Sequence, residues 1–212
     1  MILGIVATQL SVMFTLCVAS AYFKGFGDFM NEPKVAIISL IVLITCVSLL
    51  VCGDKSWRMN VPWNYVLLML GTLAEAASVA AMTAKFEVGA VLTAIFVLAI
   101  TLVCLFASAY CIKDSTQLKS ALISSCGVSS LVILFVTPFI LMSTYGKGYE
   151  WAWVVFAVVG CFLSAAYVIF DLLYIMDPEL CAQDEYILAA FFLYIDIVRL
   201  FIYILVLLSE KK

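Results

Sequence analysis

The chain has 212 residues, 67% of them apolar and 12% charged, with a formal net charge of −3 and no histidine. Soluble domains are about half apolar and about a quarter charged, so a soluble globule is excluded and most of the chain must face lipid or pack inside a membrane bundle. The acidic balance leaves no basic footprint for nucleic acid, and without histidine any pH sensing near neutrality falls to a displaced carboxylate or a thiol.

A helix needs about 20 apolar residues to cross the hydrocarbon core. Seven stretches reach that length, at roughly 1–23, 34–52, 62–82, 88–111, 119–143, 151–175 and 186–208. They predict an all-α membrane protein, one integral domain over 1–212 and a bundle of seven transmembrane helices. The first stretch has no basic segment ahead of it and is too apolar for too long to be a signal peptide. It is expected to be a true span with no soluble domain before it. KGFGDFMNEPK separates it from the second span, and GDKSWRMNVP leads into the third, which carries Glu75. TAKFE, KDSTQLK, YGKGYE and MDPELCAQDE divide the rest. Trp57, Trp63, Trp151 and Trp153 fall at span ends, where aromatic belts form.

The eight cysteines are scattered through apolar runs without a CxxC pair, and they read as small buried hydrophobes rather than zinc ligands or a disulfide framework. Small residues recur at helical spacing (Ala77 and Ala81; Ala157, Cys161 and Ala165; Gly160 and Ser164) and are expected to let helices approach closely. Orientation is weakly marked. One side of the membrane owns Lys55, Arg58, Lys113 and Lys119, four basic residues against six on the other.

Four ionisable groups lie well inside spans: Glu75, Asp171, Asp196 and Arg199. Such groups are costly in lipid and face an interior or a water-filled path. At 1.5 Å per residue, Asp171 lies about 9 Å and Asp196 about 15 Å from the same membrane side. On consecutive antiparallel helices the two can meet. Two touching carboxylates do not both ionise readily, so one retains its proton and the pair titrates as a unit. The competing assignment is an Asp196–Arg199 ion pair at i, i+3. Arg199 is expected to turn into the bundle beside Asp196. Calcium prefers oxygen ligands, so Asp171 and Asp196 are candidate transient calcium ligands. Glu75 is either a further path ligand or a packed neutral acid. Asp177, Glu179, Asp184 and Glu185 crowd the linker before the last span, as a cation-gathering mouth or as a solvated turn. Arg58, on the same side, is a candidate gate partner or an interfacial anchor.

IFDLL at 169–173 and EYILAAFFLYIDIVRLFIYIL at 185–205 resemble the C-terminal signature of the Bax inhibitor / Lifeguard family. Its pattern is an aspartate in one span followed by a Leu-Tyr-Leu-Asp-Ile-Ile-Asn-Leu-Phe segment, and Asp171 and Asp196 match its two aspartates. Glu75 in LGTLAEAASVA resembles a third-span glutamate of many members, and ILGIVATQLSVMFTL at 2–16, with Gln9, resembles the first span. The resemblance implies a seven-helix bundle of the Bax inhibitor type, a pH-sensitive calcium leak and protection against cell death. It makes Asp171 and Asp196 the pH sensor and ion path, with Arg58 and Arg199 as electrostatic tuning groups. Arg199 departs from the pattern, where asparagine is usual, and a fixed cation there opposes calcium.

Calcium and protons are thus the expected partners, with the lipid bilayer and cell-death or calcium-channel membrane proteins. Calcium is a permeant ion rather than a cofactor, and no enzymatic activity is expected. Multi-pass insertion leaves endoplasmic reticulum, Golgi and plasma membrane open. An intramembrane aspartyl protease would need a Gly-x-Gly before its second aspartate and a later Pro-Ala-Leu; no glycine follows Gly160, so Asp196 lacks the first, and the second is absent. A retinal protein needs a lysine in the last span, which 186–208 lacks. A non-conducting protein that restrains death signalling through partners, and a proton-coupled calcium exchanger, remain as alternatives.

Overall fold

The computed structural model describes residues 2–52, 62–112, 150–176 and 186–208. These residues form seven helices and no strand: α1 (Ile2–Tyr22), α2 (Lys24–Met30), α3 (Pro33–Cys52), α4 (Trp63–Thr83), α5 (Val88–Ile112), α6 (Glu150–Met176) and α7 (Tyr186–Leu208). Six of them are long and apolar enough to cross a membrane; α2 is the exception, with seven residues. Helix is the required answer for apolar segments of this length, because hydrocarbon offers no partner to an open backbone N–H or C=O. The 21 residues of α1 rise about 31 Å, close to the thickness of a bilayer core.

The predicted spans at 1–23, 34–52, 62–82, 88–111, 151–175 and 186–208 coincide with these six helices. The stretch 119–143 lies outside the described residues. The first linker is more structured than its glycines and charges suggest, since Lys24–Met30 makes the extra turn of α2. Buried Gly27 explains it: a Cβ there would lie 2.6 Å from the Ser20 carbonyl oxygen and 3.3 Å from Ala84, so α2 folds back onto α1 and α4 only with glycine.

Exposed hydroxyls on the spans satisfy themselves. Thr8, Ser11, Thr15, Thr45 and Thr93 each donate to the carbonyl four residues earlier, at 2.7–2.9 Å. Buried hydroxyls instead link helices. Gln9 Nε2 donates to Thr72 Oγ1 at 2.7 Å, and Ser20 Oγ donates to the Ala80 carbonyl at 2.7 Å. These bonds join start to start and end to end, so α1 and α4 are parallel. The Tyr65 and Tyr186 hydroxyls, 3.0 Å apart, tie the starts of α4 and α7 in the same sense. Ser39 early in α3 meets Ser78 late in α4 at 3.1 Å, which makes that pair antiparallel.

The share of each span buried separates core from rim. It is 56% for α4 and 50% for α7, against 17–22% for the other four. α7 packs on α1, α4, α5 and α6 and is the axis of the bundle. Phe191, Tyr194 and Phe201 on it are wholly buried. Two glycines admit its large side chains: Phe191 lies over Gly71 and Tyr203 over Gly160. Of the small residues expected to pack, Ala157 and Ser164 are buried with Gly160 along α6, while Ala77 and Cys161 are only half-buried. Cys17 and Cys46 are buried free thiols, as their apolar surroundings suggest; Cys104 is exposed on the outer face of α5, so that assignment does not hold for it.

Candidate functional site

α6 and α7 run antiparallel, since Gly160 early in α6 meets Tyr203 late in α7 and Asp171 late in α6 meets Asp196 in the middle of α7. Asp171 is five residues from the end of α6 and Asp196 ten from the start of α7, about 8 and 15 Å into the helices. The two carboxyl groups nonetheless lie within hydrogen-bonding reach of each other across the seam. Asp171 Oδ2 is buried and finds no donor among the described residues. A proton on Asp196 would supply one, and a proton on Asp171 itself would make it the donor.

Arg199 Nη1 donates to Asp196 Oδ1 at 3.2 Å, one turn along α7. The carboxylate–carboxyl contact and the ion pair therefore coexist on Asp196 and are not alternatives. Arg199 also acts electrostatically on Asp171, on Glu75 and on Tyr203. Its side chain is 57% exposed where that of Asp196 is 12%. The expectation that it turns into the bundle is corrected: the side chain is largely exposed, and the i, i+3 spacing still brings its guanidinium to Asp196.

Glu75, half-buried on α4, stands within electrostatic range of Arg199 and of Tyr194. Asp196 thus contacts the guanidinium, and Asp171 and Glu75, from two other helices, lie within its electrostatic range. With all three ionised the cluster would carry two uncompensated negative charges inside a membrane bundle, which protons or a cation must offset. Among the described residues no three of Asp, Glu and Cys converge as a metal-ligand set, so the aspartate pair offers a two-carboxylate station rather than a closed calcium cage. Tyr167 and Tyr174, four residues before and three after Asp171, share its helical face and are half-buried. Arg58 and the acidic linker residues Asp177, Glu179, Asp184 and Glu185 lie outside the described residues.

Sequence reasoning passed over Tyr194 as one more apolar aromatic, although its hydroxyl is wholly buried. It also left Gln9 without a partner, which the bond to Thr72 supplies. The fourfold spacing of Gln9, Met13 and Cys17, all buried on one face of α1, was the available signal.

Interior carboxyl groups within a bundle of span-length helices define a multi-pass membrane protein with a polar interior. The whole chain, residues 1–212, matches the family described as Inhibitor of apoptosis-promoting Bax1, and it belongs to that Bax inhibitor family. It is 31% identical to Protein lifeguard 4 of Mus musculus over 191 residues, 87% of this chain and 72% of that protein. It is 24% identical to Protein lifeguard 3 of Mus musculus over 213 residues, covering 98% of this chain and 67% of that protein. The Homo sapiens Protein lifeguard 3 is 22% identical over 214 residues, or 99% of this chain and 67% of its own length.

Proposed function

We propose that this protein is a pH-sensitive calcium leak channel of intracellular membranes that protects against apoptosis, with the Asp171–Asp196 pair as its proton switch. The observation that carries the reading is the carboxyl–carboxyl contact between α6 and α7. A shared proton holds the two helices together. Loss of that proton substitutes repulsion, partly relieved by Arg199, and loosens the seam. Oxygens of Asp171, Asp196 and Glu75 suit a hard cation in transit. Arg199 sits where such a cation would, and tunes the site. The description of the family as an inhibitor of apoptosis-promoting Bax1 supports the protective role.

A seventh span at 119–143 is part of the proposal. α4 passes to α5 through the short turn 84–87, so α5 returns to the end of the bundle where α1, α4 and α7 begin. α6 begins at the opposite end, because it is antiparallel to α7. The end of α5 and the start of α6 thus lie at opposite ends of the bundle, which supports one further crossing between them.

Purified protein in calcium-loaded liposomes tests the function. Leak without a proton gradient supports a channel, and flux only with one supports an exchanger. No flux in folded protein refutes conduction. It would favour the non-conducting inhibitor of death signalling, a reading to which the Asp196–Arg199 ion pair lends weight.

A further inference from the structure

The seam between α1, α4 and α7 carries polar groups that the aspartate pair does not use. Gln9, Met13 and Cys17 follow one another every four residues along the buried face of α1. Gln9 Nε2 donates to Thr72 Oγ1, and Thr72 Oγ1 donates onward to the Leu68 carbonyl, each at 2.7 Å. The amide nitrogen is thereby committed. Its oxygen, Oε1, is buried and meets no donor among the described residues. Tyr194 enters the same seam from α7. It is 0% exposed and its hydroxyl has no partner among the described residues; because α4 and α7 run parallel with Phe191 over Gly71, Tyr194 stands within about a helical turn of the level of Thr72. Glu75 follows Thr72 by three residues and shares its side of α4.

One acceptor needs a donor and one hydroxyl needs an acceptor. Both sit between helices that lipid surrounds, where unmade bonds are most costly. Leucine and phenylalanine would fill the same two positions without that cost. A water molecule answers both needs, since it donates to an amide oxygen and accepts from a phenol, and buried waters take about two to four such partners.

We propose that the α1–α4–α7 seam is an internal water site, held by Gln9 Oε1 and Tyr194 Oη and bounded by Glu75. The water hydrates Glu75 within the bundle. The site stands on the seam's own geometry and does not depend on calcium conduction.

Millisecond radiolytic hydroxyl-radical labelling of the full chain in nanodiscs, read by mass spectrometry, tests it without any transport assay. Radicals form from water beside the side chain they modify, so burial alone does not protect a residue that touches internal water. Tyr194 is expected to label several-fold faster than Phe191 and Phe201, which are equally buried on the same helix. Gln9→Leu should lower labelling of Tyr194 several-fold, and Tyr194→Phe should do the same to Met13. Labelling of wild-type Tyr194 at the rate of Phe191 overturns the proposal. Unchanged labelling in both variants does so as well. Should Gln9→Leu fail to fold, the response of Met13 in Tyr194→Phe decides.

Discussion

Gly160→Ala places one methyl group in the tightest contact between α6 and α7. A Cβ at residue 160 would lie 2.5, 2.6 and 2.7 Å from Cε1, Cζ and Cδ1 of Tyr203. Ordinary carbon contacts begin near 3.5 Å, so the ring or the helix must retreat by about 1 Å. Tyr203 is not free to swing, because its ring also meets Phe156 edge-on at a centroid distance of 5.7 Å. Overpacking of this kind costs about 1–3 kcal/mol. Thermal unfolding of the detergent-solubilised protein should show the loss as a lower midpoint. Removing the ring should relieve it: in a Tyr203→Ala background, Gly160→Ala should cost much less. Gly4→Ala and Gly89→Ala serve as controls, since a Cβ at either meets nothing within 4 Å, and helix propensity favours alanine by up to about 1 kcal/mol. A Gly160→Ala protein as stable as wild type, with both controls behaving as expected, would refute the claim that this glycine sets the approach of the two aspartate-bearing helices.

Other expectations follow from the charge cluster and the interior bonds. Arg199→Asn removes the guanidinium 3.2 Å from Asp196 and should raise calcium leak in liposomes; an unchanged leak in folded protein would count against its tuning role. Leak should rise as pH increases from about 5 to 8, the window of carboxyl groups standing in for histidine, because deprotonation replaces the shared hydrogen bond with repulsion. Asp171→Asn and Asp196→Asn should flatten that profile about equally, since a coupled pair needs both members; if either variant keeps the wild-type profile in a flux titration, the sensor lies elsewhere and Glu75 is next. Ser20→Ala deletes the 2.7 Å bond from α1 to the Ala80 carbonyl and should cost about 0.5–1.5 kcal/mol, read as a lower unfolding midpoint.

Some of the site was legible before any coordinates. A charge inside an apolar span is conspicuous in one dimension, and counting residues from a shared linker puts Asp171 and Asp196 on antiparallel helices at comparable depth. Arg199 shows where such counting stops. Its i, i+3 spacing announces the partner, yet exposure depends on which faces of α7 are covered by α1, α4, α5 and α6. Tyr194 and Phe192 are two residues apart in the same helix, both aromatic. One is wholly buried and the other 40% exposed, because α7 packs against its neighbours on some faces only.

Segment length and hydropathy by themselves determined the six described spans and their ends, because in hydrocarbon a backbone has no alternative to helix. They also determined which residues are chemically expensive enough to need an explanation: Glu75, Asp171, Asp196 and Arg199. Only the tertiary structure decided that α4 and α7 form the interior, that α2 folds back over Gly27, and that Arg199 stays largely exposed while its guanidinium meets Asp196. The physical reason is that lipid is as apolar as leucine. Burial of apolar surface therefore does not tell one helix face from another, and the choice falls to contacts of shape and polarity such as Gly160 under Tyr203 and Gln9 on Thr72.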